Sequence, residues 1–132
     1  MSDQRPTQKS VWRRWRPAGF VDAARGLKIL VTTQPNACVH LGATGVVLGL
    51  SVWLRLSAGE WGAVMAVVAM VWVAEGMNTA IEFLVDIVSP EKQRLAGWAK
   101  DVAAGAVLAA ALGAVAVGLV IFGPKMAARL GW

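Results

Sequence analysis

One polar face interrupts an apolar segment of this chain and is the first place to look for chemistry. At about 100° per residue, the stretch AEGMNTAIEFLVD places three carboxylates and two flanking polar side chains together on a helix: Glu75, Glu82 and Asp86, with Asn78 and Thr79. Ionisable residues at membrane depth are costly and by default mark function. Because three carboxylates on one face repel one another, the pattern predicts a cation that holds them together.

Magnesium and a general base are the chemistry that this face favours. Hard oxygen ligands suit Mg²⁺, which shares its coordination shell with water and phosphate. A carboxylate free of metal can accept a proton from a hydroxyl group during phosphoryl transfer. The alternative is a solvated helix end whose acids align by chance, which suits Asp86 best. It suits Glu75 least, because Glu75 directly follows the uncharged residues 61–74.

Few other residues carry a chemical signal. Lys100 and Asp101 begin the next helix, where they either contact phosphate or form an ordinary pair beside the membrane. The chain contains neither GxxxxGK[ST] nor GxGxxG, so a nucleotide would bind without the common soluble scaffolds. His40 stands alone at the start of an apolar span, which favours a structural or interfacial role. Cys38 is the single cysteine and excludes an intrachain disulfide.

Composition predicts an all-α membrane protein. The chain has 132 residues, of which 57% are hydrophobic, and a mean hydropathy of +0.56. These values are typical of one small membrane domain, which we place at residues 19–132, after a basic arm at 1–18. Hydropathy and helical periodicity predict an amphipathic interfacial helix and three membrane spans, at 20–33 and at about 39–56, 61–88 and 97–123 respectively.

The distribution of positive charge predicts the orientation. Ten of the 13 Lys and Arg residues precede the first span, lie between the second and third spans, or stand in the first turn of the third. By the positive-inside rule, the N-terminus is cytoplasmic and the C-terminus is outside, in a multi-pass protein of the cytoplasmic membrane. These charges lie beside the spans, so they indicate anionic lipid rather than nucleic acid as the partner. The polar N-terminal segment also lacks the pattern of a secretory signal peptide.

Two motifs carry a family resemblance. Glu75-x-x-Asn78-Thr79-Ala80-Ile81-Glu82-x-x-x-Asp86, followed by AKDVAAGAV at 99–107, closely resembles the bacterial integral-membrane lipid kinase family of diacylglycerol kinases and undecaprenol kinases. The resemblance covers roughly residues 19–124. It implies an ATP- and Mg²⁺-dependent kinase that phosphorylates a membrane lipid alcohol. It also implies homotrimers of three-span protomers, each with an interfacial helix, whose active sites are shared between neighbouring subunits.

The resemblance also implies roles for individual residues. Glu75 is implied to be the catalytic base, with Asn78 orienting the site and Glu82 binding Mg²⁺. Lys100 and Asp101 are implied to serve the nucleotide and catalysis. We add Arg25 and Asp86 as candidates for nucleotide binding.

Two positions depart from the family pattern. Gln34 occupies the place of a glutamate that is the family's second Mg²⁺ ligand, and Cys38 replaces a usual arginine. Glutamine offers a carbonyl oxygen without charge, so metal binding at Gln34 would be weakened. The motifs NTAIE and KDVAAGAVL resemble the undecaprenol kinase branch more than the diacylglycerol kinase branch. The resemblance therefore favours undecaprenol over diacylglycerol as the substrate. The alternatives are a catalytically weakened family member and a small oligomeric transporter that uses Glu75 as a proton-coupled site.

Overall fold

The computed structural model describes residues 18–91 and 93–131, and all regular secondary structure in these ranges is helical. The four helices are α1 (Ala18–Thr33), α2 (Pro35–Trp53), α3 (Ala58–Val88) and α4 (Arg94–Leu130). The predicted all-α fold with three apolar helices long enough to cross a membrane is confirmed by α2, α3 and α4. The predicted basic arm lies outside the described residues up to position 17.

The α1 helix belongs to one compact unit, and α2, α3 and α4 belong to another. Within α1, Arg25 Nη1 lies 3.2 Å from Asp22 Oδ1, and both side chains are exposed. Phe20 and Leu27 of α1 are 84% and 61% exposed, a large apolar surface to leave in water. Gln34 has extended backbone angles and separates α1 from α2, as expected for a residue that precedes proline.

The α3 helix begins three residues before the predicted span because Ser57 and Glu60 cap it. The Ser57 N–H donates to Glu60 Oε2 at 2.7 Å, and the Glu60 N–H donates to Ser57 Oγ at 3.5 Å. This reciprocal pair is a capping box. The helix ends at Val88, where the predicted span 61–88 also ends, and Ser89-Pro90 follows it. Its 31 residues span about 46 Å, more than the roughly 30 Å of a hydrocarbon core.

An apolar cluster near the start of α3 joins all three long helices. Leu54, Leu56 and Val64 are its buried members, and partly buried side chains pack around them: Val47, Trp61, Val68, Ile121, Phe122 and Met126. Most of the contacts between helices are made by α3 with α4, and fewer by α3 with α2. Thus α3 is the central helix of the unit.

The α4 helix continues to Leu130, through Pro124 and past the predicted end of the third span. Two contacts hold this extension against the rest of the unit. Lys125 Nζ lies 3.1 Å from Glu60 Oε2, and the Arg129 guanidinium lies 5.2 Å from the centre of a Trp53 ring. The extension therefore closes the same end of the unit as the apolar cluster.

The outward surfaces of the three long helices are apolar. Val46 in α2, Val73 in α3 and Leu119 in α4 are 63%, 66% and 69% exposed. Large continuous apolar surface is rare on proteins surrounded by water. With three helices of sufficient length and hydropathy, the chain is a multi-pass membrane protein.

Candidate active site

The predicted polar face of α3 is buried within the three-helix unit. Glu75 is 1% exposed, Thr79 5% and Asn78 6%. Burial of these side chains follows from the central position of α3 between α2 and α4. An ionised carboxylate is costly to bury without partners. Glu75 is therefore not a solvated helix end.

Three atoms of this face lack hydrogen-bond partners. They are Glu75 Oε2, Asn78 Oδ1 and Thr79 Oγ1. Most buried polar atoms in proteins are paired, and an unpaired one costs roughly 1–3 kcal/mol. This face of α3 therefore presents buried polar atoms that a polar ligand could pair with.

Asn78 also connects this face to Glu82, one turn further along α3. Asn78 Nδ2 donates to Glu82 Oε1 at 3.1 Å. Glu82 is half-buried, so its carboxylate is held by the amide while part of it stays accessible. Asn78 and Glu82, one turn apart on α3, therefore offer an amide oxygen and a carboxylate as hard oxygen donors.

His40 also belongs to this site, although its sequence position favours a structural or interfacial role. Its Nε2 lies 3.9 Å from Glu75 Oε2, and its side chain is 18% exposed. One turn further along α2, Thr44 Oγ1 accepts a hydrogen bond of 3.1 Å from Trp72 Nε1 of α3. The sequence does show His40 as a lone polar residue at the start of an apolar span. Its contact with Glu75 could not be predicted, because that contact depends on how α2 packs against α3.

Lys100 and Asp86 meet where α3 and α4 approach each other after Glu82. The Lys100 ammonium contacts Asp86 Oδ1, and the lysine and aspartate side chains are 36% and 65% exposed. They border a cleft of about 450 Å³ that also includes Ser89, Glu91 and Gly97. Asp101 is exposed, and the turn of α4 points it about 100° away from Lys100.

The expectation that one cation holds all three carboxylates is wrong for a single chain. Among residues 18–91 and 93–131, no three His, Cys, Asp or Glu side chains form a cluster able to hold a metal. Asp86 lies eleven positions after Glu75, which corresponds to about 16 Å along the helix axis. Asp86 instead pairs with Lys100.

Gln34 and Arg25 are two further predicted site residues for which the described part of the chain shows no hydrogen bond or ion pair to the polar face of α3. Gln34 precedes α2 as its N-cap, is half-buried, and makes no capping hydrogen bond with its side chain. Arg25 pairs with Asp22 inside α1, which belongs to the other unit.

Comparison with known proteins identifies the family. Residues 21–122 match the family described as prokaryotic diacylglycerol kinase, and this range contains Glu75, Asn78, Glu82, Lys100 and Asp101. The chain belongs to this family. Its members are lipid kinases, phosphotransferases that use an alcohol as acceptor and ATP as phosphate donor. The predicted family resemblance is confirmed, and membership supports the kinase hypothesis over a transporter.

Two curated relatives cover most of the chain. An undecaprenol kinase of Bacillus subtilis (strain 168) is 37% identical over 107 residues, which are 81% of this chain and 87% of that protein. A diacylglycerol kinase of Synechocystis sp. (strain ATCC 27184 / PCC 6803 / Kazusa) is 34% identical over 118 residues, which are 87% of this chain and 67% of that protein.

Proposed function

We propose that this protein transfers the γ-phosphoryl group of ATP to a membrane lipid alcohol, with undecaprenol preferred over diacylglycerol. The observation that carries the proposal is the Glu75 carboxylate, which is 1% exposed and has one oxygen without a hydrogen-bond partner. The NTAIE motif and similarity to an undecaprenol kinase support the choice of alcohol.

Glu75 acts as the general base in this proposal. The lipid hydroxyl oxygen forms a bond to the γ-phosphorus, while the bond between that phosphorus and the oxygen bridging to the β-phosphate breaks. The hydroxyl proton passes to the Glu75 carboxylate, and ADP leaves with the bridging oxygen. The unpaired Thr79 hydroxyl, one turn from Glu75, supports a second polar contact to the acceptor alcohol.

Magnesium would be held by Glu82 and Asn78 Oδ1, with Gln34 contributing its carbonyl oxygen. The donor set fits the ion, because Mg²⁺ takes one or two carboxylates and completes its shell with water and phosphate oxygens. The unpaired Asn78 oxygen beside a half-buried carboxylate is the structural observation behind this assignment. When bound, the ion neutralises charge on the phosphates.

Lys100 contacts the phosphates of the nucleotide in this proposal. Its ammonium group borders the cleft between α3 and α4, where Asp86 holds it in place. Phosphate oxygens compete well with an exposed carboxylate for a lysine. Asp101 completes the proposed set in catalysis on the basis of the family resemblance, and Arg25 is kept as a candidate for nucleotide binding.

We also propose the bacterial cytoplasmic membrane as the location, with the N-terminus and the α3–α4 junction in the cytoplasm. The positive-inside distribution supports this orientation, and the exposed apolar side chains of α1 support its position in the membrane interface. A homotrimer with active sites shared between subunits is the assembly that the family resemblance implies.

The test is a transfer assay in membranes that contain the protein. They receive γ-labelled ATP, Mg²⁺ and either undecaprenol or diacylglycerol, and labelled lipid is measured over time. We expect labelled product with both alcohols and a higher kcat/KM for undecaprenol. No labelled lipid with either alcohol would contradict the kinase, whereas a higher kcat/KM for diacylglycerol would contradict only the alcohol preference.

Two substitutions on α3 provide the matched comparison. Glu75→Gln keeps the size of the side chain but removes the base, so we expect transfer to fall by at least about 100-fold. Glu60→Gln changes a glutamate of the same helix at the opposite end, in the capping box. We expect this control to keep activity within about two-fold because Glu60 lies away from the site, even if the lost cap costs about 1 kcal/mol of stability.

A further inference from the structure

His40 and Glu75 form a polar contact between α2 and α3. The Nε2 of His40 lies 3.9 Å from Glu75 Oε2, which is longer than a hydrogen bond of up to about 3.2 Å. Both groups are shielded, with the His40 and Glu75 side chains 18% and 1% exposed. Glu75 Oε2 is also one of the buried oxygens without a hydrogen-bond partner.

A second contact one turn away aligns the two helices at this level. Thr44 lies one turn after His40, and Trp72 lies one turn before Glu75, so the bond between Thr44 and Trp72 repeats the pairing of the two helices. Apart from Thr44, the groove that His40 lines with α3 and α4 is apolar. Among the described residues of this unit, Glu75 is the carboxylate that contacts the imidazole.

We propose that His40 is a positioning residue for the catalytic carboxylate, an inference that rests on the proposed role of Glu75 as base. Its Nε2–H donates to Glu75 Oε2 when the substrates are bound and directs Oε1 toward the lipid hydroxyl. Catalytic hydrogen bonds are often long in the absence of substrate and shorten in the reacting complex. Closing the gap from 3.9 Å to a normal bond requires a shift of roughly 1 Å.

Two variants of His40 test this role through kcat, through KM for each substrate, and through the unfolding midpoint in detergent. His40→Leu removes the donor, and we expect kcat to fall by about 10- to 100-fold, the usual cost of losing a group that orients a catalytic ligand. KM for ATP and for lipid, and the unfolding midpoint, stay unchanged. His40→Gln restores a neutral N–H donor, and its kcat recovers to within a few-fold of the wild-type value.

Ser51→Ala is the matched control on α2. Ser51 is fully buried and its hydroxyl donates to Val47 O at 2.8 Å, eleven residues from His40. We expect this variant to keep kcat within about two-fold, even if it loses about 1 kcal/mol of stability.

Several results would overturn the positioning role. They are full kcat in His40→Leu, a loss that follows a lower unfolding midpoint, an equal loss in Ser51→Ala, an increase in KM, or no recovery in His40→Gln. Glu75→Gln separates this inference from the proposed function. If that variant stays active, the base assignment fails; if it is inactive while His40→Leu is fully active, only the role of His40 fails.

Discussion

The ammonium group of Lys100 contacts the carboxylate of Asp86 and joins α4 to α3 beyond the buried part of the site. Lys125 makes a comparable contact with Glu60 at the opposite end of the same two helices. Residues 18–91 and 93–131 therefore include two lysine–carboxylate pairs between α3 and α4, one beside the proposed nucleotide site and one remote from it.

Replacing each lysine by methionine separates nucleotide binding from helix pairing. We expect Lys100→Met to raise KM for ATP by about 10- to 100-fold, because a hydrogen bond to a charged group contributes about 1.5–3 kcal/mol. Lys125→Met loses a partly exposed ion pair, which costs at most about 1 kcal/mol, and KM for ATP stays the same. Steady-state kinetics over a range of ATP concentrations make the comparison. Equal KM values in both variants would contradict the role of Lys100.

Thr79→Val tests whether the unpaired buried hydroxyl serves a ligand. Valine has the same shape and removes an oxygen that has no partner in the protein, so we expect unfolding to require about 1 kcal/mol more. Activity falls by about ten-fold if the acceptor alcohol loses a hydrogen bond of roughly 1 kcal/mol or more. Thr79→Ser keeps the hydroxyl and serves as the control, with activity near wild type. Undiminished transfer by Thr79→Val would count against a contact between Thr79 and the substrate.

Asn78→Leu removes both the bond to Glu82 and the unpaired carbonyl oxygen. We expect a 10- to 100-fold loss of kcat, in the range of about 1.4–2.7 kcal/mol, together with a higher Mg²⁺ concentration for half-maximal rate. Magnesium titrations of the transfer rate measure both effects. A normal Mg²⁺ requirement in this variant would argue that Asn78 has no part in holding the metal.

Gln34→Glu adds the charge that the family pattern has at this position. We expect the Mg²⁺ concentration for half-maximal activity to fall, because a carboxylate binds the ion more strongly than an amide oxygen does. Asn36→Asp is a close control, since Asn36 is exposed and the variant adds the same charge two residues away. A similar fall in both variants would attribute the effect to net charge rather than to Gln34 itself.

Local signals predicted much of the architecture. Hydropathy located the three long helices, and the predicted end of the second span at residue 88 is the end of α3. The start of α3 was readable from Ser57 and Glu60, which have the spacing of a capping box, although the predicted span began only at residue 61. The continuation of α4 through Pro124 was not, since Lys125 and Arg129 are held by residues more than 60 positions away.

The site divides in the same way. Helical periodicity was sufficient to place Glu75, Asn78 and Glu82 on one part of α3. The pairing of His40 with Glu75 depends on the alignment of α2 against α3, which is a property of tertiary packing. The pairing of Asp86 with Lys100 likewise depends on how α4 packs against α3.

The α3 helix is secured unequally along its length. Its first turns have a capping box, an ion pair to Lys125 and the apolar cluster around Val64. Its second half contains unpaired buried atoms and an exposed ion pair to Lys100. Local opening requires the least free energy where buried contacts are fewest. Backbone amides after Glu75 should therefore exchange with deuterium sooner than those near Val64. Local opening of the helices should then admit substrates at the end of the unit where they react.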